Sequence, residues 1–228
     1  MLRQAESSPT LASVRAVIFD MDGVLFEGRN FWLDLHRRFG GDADEALDLL
    51  DRYAESDYDT LAEKIVGELW QGMPAAPYFE LVAERRYQPE ARETVAALRE
   101  RGIRTAIVTA GPDLLAQRAQ RELGIDLIRA NGVEIRDGQL TGVSKVGVRD
   151  SEKGVVGLEV LREFGVEPTS AAAVGDGDAD AHLARLIATS IAYDSDSERL
   201  LEVARHSLRH GELHRVIEIV DETAPDRG

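Results

Sequence analysis

The apolar positions change period along the chain. Residues 14–19, VRAVIF, are a short apolar run suited to a strand buried on both faces of a parallel sheet. From residue 24 to residue 88 the spacing is helical. Phe31, Trp32, Leu35 and Phe39 fall on one face of a helix that Gly40 stops. Asp42 with Glu45 three residues on is a capping-box pattern that opens DADEALDLLDRYAESD. Leu61, Ile65 and Leu69 repeat the period in YDTLAEKIVGELWQG, and proline opens a fourth helix in PAAPYFELVAERRY. The stretch predicts a small all-helical module with Phe31, Trp32, Trp70 and Tyr78 in its core.

After Tyr87 strands and helices alternate. PEARETVAALRERG is a helix with Gly102 past its end, IRTAIVT (103–109) a strand, PDLLAQRAQRELG a helix and DLIRA a short strand. VEIRDGQLTGV reads as a hairpin turning at Asp137 and Gly138. EKGVVGLEVLREFG is a helix, AAAVG (171–175) a strand, DADAHLARLI a helix and TSIAY (189–193) a strand. This alternation implies right-handed crossovers and an α/β fold, a Rossmann-like parallel sheet covered on both faces. The core is then residues 14–23 and 89–220, with the helical module 24–88 inserted after the first strand. Disorder is expected only at the ends, residues 1–13 and 221–228.

Ligands in such sheets bind at the carboxyl ends of the strands, and three predicted strands end in polar chemistry. The first runs into Asp20, Asp22 and Gly23, the second into TAGP with Thr109, and AAAVG into GDGDAD with Asp176, Asp178 and Asp180. Lys153 opens the helix before AAAVG. Carboxylates crowded at one edge repel, and a hard divalent cation relieves them. Mg²⁺ takes a few carboxylate oxygens, waters and a substrate phosphate. A lysine and a hydroxyl there suit phosphoryl oxygens, and the helix opening after TAGP offers N–H groups to the same anion. Singly, each feature has a plainer reading. D-x-D-G is a capped turn, Thr109 a strand-end hydroxyl, Lys153 a solvated helix residue and Asp178 an N-cap. The five histidines read as structural or exposed, although His206, His210 and His214 carry the spacing of one helix face.

Charge and composition narrow the partners. A net charge of −15 argues against nucleic acid and against an anionic membrane, and any anionic substrate then needs a local cation. Cysteine is absent, which excludes disulfides, thiolate catalysis and cysteine-bound metals. The residues MLRQAESSPTLASVR contain no apolar signal core, and no window approaches ~18 apolar residues. A cytoplasmic protein with no membrane partner is the expectation.

Four segments in order, DMDGV, VTAG, Lys153 in SEKG and VGDGDAD, resemble the motifs of haloacid dehalogenase (HAD) superfamily phosphatases. The helical insertion and the tail IAYDSDSERLLEVARHSL are similar to those of the phosphoserine phosphatase branch. The resemblance implies a Mg²⁺-dependent phosphomonoester hydrolase acting on a small phosphorylated metabolite. Asp20 is then the nucleophile that forms an aspartyl-phosphate, and Asp22 the general acid and base. Thr109, Ala110, Gly111 and Lys153 hold the phosphoryl group. Asp20, the backbone carbonyl of Asp22 and Asp176 ligate the metal, and Asp180 orients Lys153 or a metal water. A phosphomutase using the same residues is one alternative, and a receiver-like signalling domain another. Two positions depart from the branch. Ala179 stands where asparagine precedes the last aspartate, and no segment matches the arginine motif for a serine carboxylate. Arg29, Arg52, Arg85 and Arg86 are the candidates for that role, with Arg52 and Arg85 foremost, and Glu27 lies near the place of an amino-group ligand.

Overall fold

The computed structural model describes residues 13–223. Most of the two ends expected to be disordered lies outside the described residues. Asp221 and Glu222, which are described, are helical, and Asp221 pairs with Arg101 at 3.1 Å.

The strands are β1 (Ala16–Phe19), β2 (Arg104–Pro112), β3 (Leu127–Arg136), β4 (Gln139–Lys145), β5 (Ala171–Gly175), β6 (Thr189–Tyr193) and β7 (His206–Leu208). They form one sheet in the order β4-β3-β2-β1-β5-β6-β7. Pairing is parallel throughout except between β3 and β4. The expected parallel sheet therefore carries one antiparallel edge strand. DLIRA and the first arm of the hairpin are a single strand, β3. Asn131 and Gly132 read as a break between the two, but Asn131 is buried and hydrogen-bonded there, so the strand continues. Asp137 and Gly138 both have positive φ, 50° and 77°, which is what a two-residue hairpin turn needs.

Four helices lie between β1 and β2 before the first core helix. They are α1 (Phe31–Arg38), α2 (Ala43–Tyr53), α3 (Tyr58–Ala62) and α4 (Ala76–Glu84), followed by α5 (Ala91–Glu100). Asp42 caps α2 by accepting from Asp44 N–H at 2.9 Å, and among the described hydrogen bonds Glu45 makes no return contact, so the capping box is only half formed. The predicted continuous helix after Tyr58 instead runs from α3 into a π-helix, Glu63–Leu69. Beyond it, Gly72 and Ala75 N–H donate to Leu140 O and Gly138 O of the β4 hairpin, and Met73 O accepts from Leu140 N–H, at 2.8–2.9 Å. The insert begins and ends at a paired neck. Gln88 N–H donates to Leu25 O and Glu27 N–H to Arg86 O, both at 2.9 Å, while Phe26 stacks on Tyr87 at 4.3 Å.

The remaining helices are α6 (Asp113–Leu123), α7 (Lys153–Phe164), α8 (Asp180–Ala184), α9 (Glu198–Leu201) and α10 (Arg215–Glu222). All four residues of β1 are buried because helices cover both faces. Ala16 and Ile18 pack with Val156, Val160 and Leu161 of α7, whereas Val17 and Phe19 share the other core with Val95 and Leu98 of α5. The helix expected over DADAHLARLI shrinks to the five residues of α8. Its later start goes with the Asp180 carboxylate, which is used by the loop before it. The three histidines of the tail lie on no common helix: His206 is in β7, His210 in a turn and His214 at the start of α10.

Candidate active site

The strand order brings the carboxyl ends of β1, β2 and β5 side by side, and their loops line a cavity of about 490 Å³. Asp20, Asp22, Thr109, Ala110, Gly111, Lys153, Asp176 and Asp180 all line it. These are the residues that the sequence singled out, and they come from segments up to 160 positions apart.

Lys153 is the electrostatic centre. Its Nζ lies 2.6 Å from Asp20 Oδ1 and 2.6 Å from Asp180 Oδ1, with its side chain 4% exposed. Burial works against its charge, but Asp180 and Asp20 outweigh that and hold its pKa above the usual lysine value. The other oxygen of Asp180 accepts the N–H groups of Asp176 and Gly177, both at 3.0 Å. Asp180 thereby ties the loop after β5 to Lys153. Oxygens of Asp20, Asp176 and Asp180 lie within 4.8 Å of one another. Three carboxylates thus face one ammonium, and burial raises the pKa of both Asp20 and Asp176. Arg29 reaches Asp176 only at 3.9 Å. This oxygen-only set with excess negative charge fits a hard divalent cation better than it fits three bare carboxylates.

Asp22 stands apart from that cluster. Its Oδ2 accepts from Phe31 N–H at 3.3 Å, and its buried Oδ1 has no partner. Burial, then the charge of Asp20, pushes its pKa up to about 7. Its carboxyl therefore takes up a proton far more readily than an ordinary aspartate, while Asp20 lies against Lys153. Gly23 follows with φ +81°, and a Cβ there would sit 2.2 Å from Asp176 Oδ2. Gly23→Ala is expected to cost about 2 kcal/mol of stability and to lower turnover by displacing Asp176. Thermal unfolding and phosphate release measured on one preparation check this, and wild-type values for both would refute it.

Thr109 Oγ1 accepts the N–H of Gly111 at 3.0 Å. Gly111 lines the cavity, but its N–H is already engaged and is not free for an anion. A Cβ on Gly111 would meet Met21 Cε at 2.8 Å and Asp22 Oδ2 at 3.1 Å, so a larger residue would displace the end of Met21 and press on Asp22. Asp178 is exposed and accepts from the Ser197 hydroxyl; it is not the cap of α8, whose N-cap is Ala179 with no side-chain bond.

Three of the four candidate arginines point elsewhere. Arg52 pairs with Asp48 at 3.2 Å on the outer surface of α2. Arg85, 10% exposed, binds Asp34 at 2.8 Å and Glu27 O at 3.1 Å and lies 5.2 Å over the Phe31 ring. Arg86 pairs with Glu27 at 2.8 Å. Arg52 and Arg85 thus serve the shape of the insert, because the acidic surface offers them nearer partners. Arg29 alone of the four lines the cavity, and it is held by Asp196 at 3.4 Å and the carbonyl of Asp194 at 2.7 Å. The insert instead contributes Trp32, Leu50, Ala54 and Tyr58 to the wall. Trp32 was expected in the helical core, and it does contact Trp70 and Tyr78, but it is half-buried and faces the cavity as well. Tyr58 and Asn131 carried no motif that could have marked them.

A seven-stranded α/β sheet with an aspartate pair after β1, a hydroxyl in the last half of β2, a lysine opening α7 and acidic groups after β5 defines a class. The haloacid dehalogenase-like hydrolase family model matches residues 17–185, and the chain belongs to that family. Within it, the chain is phosphoserine phosphatase-like. It is 30% identical to a phosphoserine phosphatase of Polaromonas sp. over 92% of this chain and 91% of that one. It is 31% identical to one from Archaeoglobus fulgidus, matching 85% of this chain and 56% of the longer relative. The chain spans about half the length of that relative and of the Mycobacterium tuberculosis phosphoserine phosphatase SerB2 (49%). A solved phosphoserine phosphatase in a phospho-aspartyl intermediate analogue superposes with a TM-score of 0.79 at 22% identity, covering 90% of this chain and 98% of that one. This last likeness concerns the fold. Among the described residues no helix is long and apolar enough to cross a membrane.

Proposed function

We propose that the chain is a cytoplasmic, Mg²⁺-dependent phosphomonoester hydrolase for a small metabolite, working through an aspartyl-phosphate on Asp20. The observation that carries this reading is the separation of two carboxyls two residues apart. Asp20 is held against Lys153, and Asp22 is buried, unpaired on one oxygen among the described residues, with its pKa pushed up to about 7. One is poised as nucleophile and the other as acid.

In the first half-reaction an Asp20 oxygen attacks phosphorus, the bond from phosphorus to the ester oxygen breaks, and Asp22 gives that oxygen its proton. In the second half, Asp22 takes a proton from water, the water oxygen attacks phosphorus, and the bond to Asp20 breaks to release phosphate. Lys153 and the Thr109 hydroxyl hold phosphoryl oxygens throughout. Asp180 keeps Lys153 in place and is itself fully occupied. Asp20, Asp176 and the backbone carbonyl of Asp22 would hold Mg²⁺, which supplies charge neutralisation for the phosphoryl group when bound. The helical insert, residues 24–88, acts as the lid that excludes water until the alcohol has left.

Phosphoserine enters as a substrate through the named relatives. Against it stands the wall of the cavity, where Arg29 is already engaged by acidic groups and the insert side offers Asp51 and Glu55 beside Trp32, Leu50, Ala54 and Tyr58. A panel of phosphorylated metabolites that includes phosphoserine, assayed with Mg²⁺ for inorganic phosphate, tests the reading. Stoichiometric phosphate from at least one member is expected. Transfer of the phosphoryl group without release would make the chain a mutase, and no turnover of any member would overturn the reading.

A further inference from the structure

The carbonyl of Ala110 collects three donors. Trp32 Nε1–H donates to it at 2.8 Å, Asn131 Nδ2–H at 3.1 Å and the Tyr58 hydroxyl at 3.3 Å. Trp32 and Tyr58 belong to the helical insert, and Asn131 to β3. The peptide that follows is planar and trans, so its C=O and N–H point in opposite directions. Fixing the oxygen of Ala110 toward the insert therefore aims the N–H of Gly111 the other way, where it meets Thr109 Oγ1 at 3.0 Å. A hydroxyl has one proton to give. With its oxygen already accepting from Gly111, Thr109 directs that proton away from the loop.

We infer that the Ala110–Gly111 peptide is a lever through which the insert sets the Thr109 hydroxyl as a phosphoryl donor, with Trp32, Tyr58 and Asn131 as its positioning residues. The inference rests on the phosphatase reading above. Three features support a dedicated device. Asn131 is 4% exposed, and its amide is saturated. Its Nδ2 gives one proton to Val148 O at 2.7 Å and shares the other between Ala110 O and the Tyr58 oxygen, 3.0 Å away, while Oδ1 accepts Gly147 and Val148 N–H at 2.8 Å. The same amide thus anchors the segment leading to Lys153, the other phosphoryl-holding group. Gly111 places no side chain beside Met21 and Asp22, where a Cβ would meet Met21 Cε at 2.8 Å and Asp22 Oδ2 at 3.1 Å. And the tips of Trp32 and Tyr58 are spent on the main chain of the loop rather than turned toward a leaving group, although both side chains line the cavity.

A lid that only selects substrates would not matter to a small aryl phosphate, whereas a lever would. Tyr58→Phe keeps the ring and removes one donor. On an aryl phosphate it is expected to lower kcat about fivefold, the loss of one hydrogen bond, with KM changing less than about twofold. Thr109→Val removes the hydroxyl that the lever sets, at nearly constant volume. In that background Tyr58→Phe is expected to cost nothing further, because the two residues act in series. Orthovanadate binding, followed by tryptophan fluorescence, repeats the cycle where turnover is too slow to measure. Equal losses from Tyr58→Phe in both backgrounds, or no loss in the wild-type background, would overturn the inference while leaving the phosphatase reading intact. A wild-type protein that releases no phosphate from any ester would instead overturn the reading on which it rests.

Discussion

Asp20→Asn should abolish phosphate release, by roughly 10⁴-fold or more, while the fold survives. The amide keeps the volume and can still contact Lys153, but it has no anionic oxygen to attack phosphorus. Stability should change little for an electrostatic reason. The substitution weakens a buried ion pair at 2.6 Å and at the same time removes one of three carboxylates crowded within 4.8 Å. Thermal unfolding and a phosphate-release assay on the same preparation separate the two effects. Release within about tenfold of wild type would sink the assignment of Asp20 as nucleophile.

The second large effect is that of the metal. Exhaustive chelation should remove turnover, Mg²⁺ should restore it, and Ca²⁺ should not, since Ca²⁺ takes six to eight oxygens in looser geometry. The carboxylates also predict a readout without turnover. Burial and mutual repulsion hold Asp20 and Asp176 above their ordinary pKa, so a cation that binds them only in the native state stabilises that state. At 100 times its dissociation constant the gain is about 2.7 kcal/mol, visible as a rise in melting temperature that Asp176→Asn should largely remove. Full activity after chelation, or a melting temperature indifferent to Mg²⁺, would exclude the proposed centre.

Much of this protein was legible before any coordinates, and the reason is local. β1, β5 and β6 are runs whose every residue is buried, and such runs stay apolar whatever surrounds them. AAAVG and TSIAY accordingly coincide with strands to the residue. Asp20, Asp22, Lys153, Asp176 and Asp180 were also visible, because each sits at or just past the end of a strand or the start of a helix, and Thr109 because TAGP follows its apolar run, although β2 continues to Pro112.

Contacts between distant segments decided the rest. No periodicity distinguishes Arg85 as a buried strut from Arg85 as a substrate ligand. The choice was made by Asp34 and the Phe31 ring, which the folding of the insert brings to it. Asn131 and Gly132 read as a break between DLIRA and the hairpin because such residues usually face water in a loop. They lie in strand because Asn131 finds all its hydrogen-bond partners in Ala110, Tyr58, Gly147 and Val148. The later start of α8 goes with Asp180, whose carboxylate binds Lys153 and two backbone N–H groups of the loop before it. By itself the sequence determined the elements and the chemical groups at their ends, since these depend on neighbours within a few residues. Only the tertiary structure decided which of those groups are free to act, since a charge or an amide is spent or available according to what the fold places within about 3 Å of it.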